Sequence, residues 1–206
     1  MTVSESPTAV LDDARRVGIF GGTFDPPHNG HLLVAAEARW ALRLDVLLLV
    51  VADRPWQKEG AREITPSADR LAMVEALCSG VSGVQASSIE IDRGGPSYTA
   101  DTLALLERPD RTLFLVLGRD AAAGLHSWER VDEVRSRCLP VLVDRPGLPA
   151  PDLPDGWAWE RVSTPRLDIS STDVRQRLAD GRPVDGLVPS AVISCLAQRG
   201  LYGDRP

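Results

Sequence analysis

Two of the chain's three histidines stand three residues apart in one loop, Gly21-Gly22-Thr23-Phe24-Asp25-Pro26-Pro27-His28-Asn29-Gly30-His31. The loop leaves a short apolar run, Val17 to Phe20, and enters a segment with apolar residues at helical spacing. A glycine-rich turn between strand and helix offers backbone amides and the positive end of a helix, both suited to phosphate. Imidazole donates a hydrogen bond to phosphate in either protonation state, and at this spacing both rings can address one anion. Neither GxGxxG nor a Gly-Lys pair occurs in the chain, which excludes the dinucleotide fingerprint and the Walker loop. A zinc site lacks a third ligand at sensible spacing. A second constellation is Ser170-Ser171-Thr172-Asp173-Val174-Arg175. Three hydroxyls at a helix start with Arg175 one turn in make a second anion site, although Ser and Thr also favour such positions as ordinary caps. A polyphosphate needs more than one clamp, so the two motifs are read together.

Around these motifs the chain has an ordinary globular composition. Its 206 residues are 43% apolar and 25% charged, which fits one compact domain with a core of its own. With 23 basic and 29 acidic residues the net charge is −6, which disfavours a nucleic-acid partner and leaves small anionic substrates open. The longest apolar run, Val46 to Ala52, is far below the roughly 20 residues of a membrane span. The three cysteines, at 78, 138 and 195, are scattered among apolar residues and read as small buried side chains. Lys58 is the single lysine. The start of the chain has no basic, apolar signal pattern. It reads as a disordered lead over residues 1–14, followed by a single domain over 15–206, in a cytoplasmic protein.

Short apolar runs alternate with helical patterns. Strands are expected at Arg16–Phe20, Asp45–Val51, Val84–Asp92, Thr112–Leu117 and Leu139–Val143, with a short sixth within Trp157–Val162. Helices are expected from Asn29, with Leu32, Leu33, Ala36 and Trp40 on the apolar face, from Pro66, from Ser97 or Thr99, over Trp128–Arg137, and twice beyond about residue 170. This alternation implies an α/β, Rossmann-like, doubly wound parallel sheet of five or six strands with helices on both faces.

GGTFDPPHNGH and ISSTDVR resemble the HxGH and SSTxxR signatures of the nucleotidyltransferase superfamily. Five further segments narrow the resemblance: Pro55-Trp56-Gln57-Lys58, Ser67-Ala68-Asp69-Arg70, Gly95-Pro96-Ser97-Tyr98-Thr99-Ala100-Asp101-Thr102-Leu103, Gly118-Arg119-Asp120 with Trp128, and Gly200-Leu201-Tyr202. Together they are similar to bacterial nicotinate mononucleotide adenylyltransferases over about residues 16–202. The resemblance implies ATP and nicotinate mononucleotide as substrates, Mg2+ accompanying ATP, and no protein-held metal. It implies phosphate contacts from His28, His31 and Arg175 as the catalytic set, with Gly21, Gly22, Thr23, Lys58, Ser171 and Thr172 assisting. Asp120 would bind a ribose hydroxyl and Trp128 would stack on the nicotinate ring. The ring's carboxylate would accept amide hydrogen bonds around Tyr98 and Thr99. Asp53 is expected beside the phosphates, where Arg54 or Mg2+ must offset its charge. An enzyme preferring nicotinamide mononucleotide or another phosphomonoester, and a non-catalytic nucleotide-binding module, are the alternatives. A homo-oligomer is compatible with the sequence.

Overall fold

The apolar runs bounded by glycine, proline and serine become strands. The computed structural model describes residues 11–55, 63–144 and 151–203. Its strands are β1 (Arg16–Gly22), β2 (Val46–Val51), β3 (Val84–Ser87), β4 (Thr112–Leu117), β5 (Leu139–Asp144) and β6 (Glu160–Ser163). All pair in parallel, in the order β3-β2-β1-β4-β5-β6. The chain winds from β1 outward to β3, then returns to the centre and winds the other way from β4. β1 and β4 are therefore neighbours, and the crevice beyond their carboxyl ends is the topological switch point where such sheets bind ligands.

The connecting helices are α1 (Asn29–Ala41), α2 (Ser67–Cys78), α3 (Ile89–Arg93), α4 (Thr99–Leu106), α5 (Arg119–Ala123) and α6 (Val131–Arg137), followed by α7 (Ser171–Ala179) and α8 (Ser190–Arg199). β2 shows why the sheet is doubly wound. Its six residues are apolar without alternation, and all are buried. Leu47, Leu49 and Val51 pack with Met73 and Val74 of α2 and with Val192 and Leu196 of α8. Val46, Leu48 and Val50 pack on the opposite face with Leu103 of α4 and Val134 of α6. A strand covered on both sides has no polar side to show.

Four expectations are corrected. The strand expected over Val84–Asp92 ends at Ser87, and Ile89–Arg93 is helical. Serines mark the switch: Ser87 Oγ accepts the Ile89 N–H at 3.4 Å, the Ser88 carbonyl accepts the Asp92 N–H at 2.8 Å, and the Ser88 hydroxyl donates to the Asp92 carboxylate at 2.7 Å. Such local bonds compete with a sheet ladder. The helix expected from Trp128 begins only at Val131, because Trp128 is extended and Arg130 takes a left-handed φ of 53°. On α1 the buried residues are Ala35 and Ala38, while Trp40 is 80% exposed. The helix approaches the sheet through small side chains, which a search for large apolar residues passes over. Finally, residues 11–13 of the expected disordered lead are helical and Ala14 is buried. Arg111 donates to the Leu11 carbonyl and, at 3.0 Å, to that of Ala14, and Arg108 pairs with Asp12 at 2.7 Å. Residues 1–10 lie outside the described residues.

All three cysteines are free thiols of intermediate exposure, and burial pushes Cys78 and Cys138 up to about 12. Among the described residues no helix is long and apolar enough to cross a membrane, and no group of three or more His, Cys, Asp or Glu could hold a metal ion.

Candidate active site

The loop after β1 is shaped by small residues at points of close approach. Phe24, at a left-handed φ of 51°, folds its ring back over Gly22, where a Cβ would lie 2.8 Å from the ring. A Cβ at Gly30 would stand 3.0 Å from the His28 imidazole. With that space kept clear, the His28 and His31 rings stack at 3.7 Å between centroids. His28 is the N-cap of α1 and is 7% exposed. Its backbone N–H donates to Nδ1 of His31 at 3.2 Å. That bond occupies the Nδ1 lone pair, so the neutral His31 ring carries its proton on Nε2 and offers it as a donor. The Phe24 ring holds the His31 ring edge-on at 5.0 Å.

The second motif docks on this loop. Ser170 caps α7 by accepting the Asp173 N–H at 3.0 Å, as the preference for serine at such positions anticipates. Ser171 Oγ donates to the Pro26 carbonyl at 2.8 Å. Arg175 donates to the Asp25 carbonyl at 2.5 Å and to Thr172 Oγ1 at 3.1 Å. Asn29 reaches the turn beyond α7, its side chain donating to the Gly186 carbonyl at 2.8 Å and its N–H to that of Leu187 at 2.9 Å. Arg175 and Asp25, 150 residues apart in sequence, thus meet in one junction.

Two residues given no role from sequence hold this junction in place. Arg70 of α2 is 1% exposed. It donates to the carbonyls of Thr65 at 2.8 Å, Thr23 at 2.9 Å and Asp53 at 3.1 Å, gathering the loops that follow β1 and β2. The Tyr202 hydroxyl donates to the Asp25 carboxylate and accepts from the Thr65 hydroxyl at 3.0 Å. Burial, with Asp25 beside it, pushes that hydroxyl above the usual tyrosine range. Both lie in segments that carry the family resemblance, Ser67-Ala68-Asp69-Arg70 and Gly200-Leu201-Tyr202. That placement was the available signal. Replacing Arg70 with methionine should cost about 3 kcal/mol, because three carbonyls, that of Thr23 buried and those of Thr65 and Asp53 half-buried, lose a charged donor. Urea denaturation measures this.

Asp53 joins two of these loops. Its carboxylate accepts the Ser67 hydroxyl at 2.9 Å at the start of α2, and its N–H donates to Ser97 Oγ at 2.9 Å. It therefore fastens loop to loop. Arg54 bridges to Pro96, and its carbonyl accepts the Ser97 N–H at 3.1 Å, which closes the segment after β2 against the one before α4.

Between the carboxyl ends of β1 and β4 lies a cavity of about 490 Å³. Gly21, Gly22 and Thr23 form one wall, Tyr98, Thr99 and Trp128 another, and Asp120 stands at the start of α5. His28, His31, Ser171, Thr172 and Arg175 are not among the lining residues; the loop from Gly21 to His28 joins them to it. The Tyr98 N–H already donates to the Pro96 carbonyl at 3.1 Å. That leaves at this turn the N–H of Thr99, the first residue of α4, where helical N–H groups have no intrahelical acceptor. Arg130 lies over the Tyr98 ring, 5.9 Å from its centroid, and pairs with Asp101 at 2.5 Å. Lys58 lies outside the described residues.

A cytidylyltransferase-like family model matches residues 19–177, which span both motifs. The chain is 44% identical over 200 residues to the "Probable nicotinate-nucleotide adenylyltransferase" of Gemmatimonas aurantiaca, covering 93% of this chain and 94% of that one. It is 45% identical over 196 residues to the protein of the same name from Roseiflexus sp. (strain RS-1), covering 90% and 97%. The fold is shared with Plasmodium falciparum nicotinic acid mononucleotide adenylyltransferase complexed with NaAD, at a TM-score of 0.71 and 17% identity over 91% of this chain and 97% of that one. Matched across its sheet, both of its motifs and nine-tenths of its length, the chain belongs to the cytidylyltransferase-like family and, within it, to the nicotinate-nucleotide adenylyltransferases.

Proposed function

We infer that this protein transfers AMP from ATP to nicotinate mononucleotide, giving deamido-NAD and pyrophosphate. The observation that carries the reading is the docking of α7 on the histidine loop, Arg175 on Asp25 and Ser171 on Pro26, beside the cavity at the switch point. Its relatives of 44% and 45% identity bear the name of that activity.

In this reading a phosphate oxygen of the mononucleotide attacks the α-phosphorus of ATP in line. The bond from the α-phosphorus to the bridging oxygen breaks, and pyrophosphate leaves with that electron pair. No protein nucleophile is required. The protein orients two anions that repel each other and neutralises charge as it develops. His31, as an Nε2–H donor, serves the α-phosphoryl oxygens, with His28 stacked against it. Arg175 serves the β- and γ-phosphates, with Ser171 and Thr172 beside it, and Gly21, Gly22 and Thr23 line the path between. Mg2+ accompanying ATP would be held largely by the substrate and water and would help neutralise the phosphates that His31 and Arg175 address. In the cavity, Trp128 stacks on the pyridine ring, the Thr99 amide receives the carboxylate, and Asp120 accepts from a ribose hydroxyl. Lys58 is a further phosphate contact.

Pyrophosphate release from ATP and Mg2+ with each mononucleotide in turn tests the reading. It should be fastest with nicotinate mononucleotide. Release with another phosphomonoester alone, or none at all, would overturn it. Trp128→Ala should raise KM for the mononucleotide by on the order of tenfold, the scale of lost ring stacking, and leave KM for ATP nearly unchanged. Equal rises in both would remove the stacking role.

A further inference from the structure

The cavity wall contains two carboxylates for which the reading above has no use, Glu90 and the exposed Glu129, and Glu90 is the buried one. Glu90 lies on the short helix α3, which replaces the tail of the expected third strand. It is 7% exposed, yet it lines the cavity together with Trp128, Tyr98 and Thr99. Its Oε1 accepts the Thr102 hydroxyl at 2.7 Å, and Thr102, 1% exposed, is itself part of the wall. A carboxylate is seldom buried without compensation. Among the described lining residues none is Arg, Lys or His. The Arg175 guanidinium and the two imidazole donors belong to the junction outside its wall. Among the described residues the Glu90 side chain has this one hydroxyl donor, which covers one carboxylate oxygen.

A pyridine ring bonded through its nitrogen to ribose is a cation, whichever group it carries at carbon 3. We propose that Glu90, fixed by Thr102, is a specificity-determining residue that reads this ring charge. Glu90 provides the counter-charge, and the face of Trp128 provides a cation–π surface in the same wall. The ring nitrogen of the bound mononucleotide is thereby drawn toward the Glu90 carboxylate and its phosphate toward the arginine and imidazoles. This rests on the pyridine-nucleotide reading above and adds its basis for choosing a charged ring. The position of Glu90 near the first turn of α4 also raises a rival role, discrimination between acid and amide at carbon 3. The two roles differ in outcome.

The test compares wild type with Glu90→Gln, which keeps the acceptor for Thr102 and removes only the charge. Apparent affinities for both mononucleotides, as KM or as an inhibition constant where turnover is absent, should weaken, by about tenfold for nicotinamide mononucleotide and by less for nicotinate mononucleotide, whose own carboxylate Glu90 repels. KM for ATP should stay within about twofold. The 1,4-dihydro form of nicotinamide mononucleotide, whose ring is neutral, should bind wild type at least about tenfold more weakly than the oxidised form. Its inhibition constant should not change in the variant. Unchanged affinity for both mononucleotides, an effect confined to one of them, or equal loss for the neutral-ring probe would overturn the proposal. If Glu90→Gln does not fold, the wild-type preference for the charged over the neutral ring decides, and absence of that preference overturns it. Wild type failing to release pyrophosphate with either pyridine mononucleotide would instead defeat the underlying reading, and the proposal with it.

Discussion

Replacing His31 with alanine is expected to lower kcat in the pyrophosphate-release assay by about 100-fold or more, the scale of losing one preorganised donor to a developing oxyanion. The expectation follows from how the ring is held. The His28 N–H on Nδ1 fixes the tautomer, the stacked His28 ring fixes the plane, and Phe24 fixes the edge. A donor aimed in advance costs no reorganisation when charge appears, so its loss falls on kcat more than on KM. His31→Asn offers an N–H without the ring contacts and should recover only a small part. Near-normal turnover in His31→Ala would remove this residue from the mechanism. Because the same ring packs against Phe24, a thermal melt of the variant must accompany the kinetics.

Arg175→Ala should be at least as damaging, with kcat reduced by about 100- to 1,000-fold and KM for ATP raised as well. Two losses combine in this variant. Charge on the leaving pyrophosphate is no longer neutralised, and α7 loses a bond to the Asp25 carbonyl that fixes it against the histidine loop. Arg175→Lys separates the two. It restores a positive charge but not the planar fork that reaches Asp25 and Thr172 together, and the two residues are not interchangeable at such sites. Lysine should therefore recover KM for ATP better than kcat. Full recovery of both would reduce Arg175 to a point charge.

The parts of this site legible in the sequence were those whose chemistry is local. GGTFDPPHNGH displays its turn residues and imidazoles in one stretch, and ISSTDVR displays a helix cap followed by a cation. The alternation of buried strands and helices displays the parallel sheet, since β2 cannot be apolar on both sides unless both sides are covered. What stayed hidden depends on partners distant in sequence. Arg70 reads as the polar side of an amphipathic helix until the carbonyls of Thr23, Asp53 and Thr65 converge on it. A carbonyl carries no sequence signature. Asp53 looks like a misplaced charge until Ser67 and Ser97 are beside it. Glu90 sits between Ile89 and Ile91 in a pattern that imitates a half-buried strand, and only the bonds of Ser87 and Ser88 mark that stretch as a helix. Trp40 misled in the opposite direction, because size suggested burial while the sheet accepted the alanines.

The account stands on two distant segments grasping one triphosphate. A crystal structure of the protein with α,β-methylene-ATP tests this most directly. The phosphates should lie within about 3.2 Å of both His31 Nε2 and the Arg175 guanidinium, with the cavity of Trp128 left free for the second nucleotide. Phosphates touching only one of the two segments, or seated away from the carboxyl ends of β1 and β4, would contradict it.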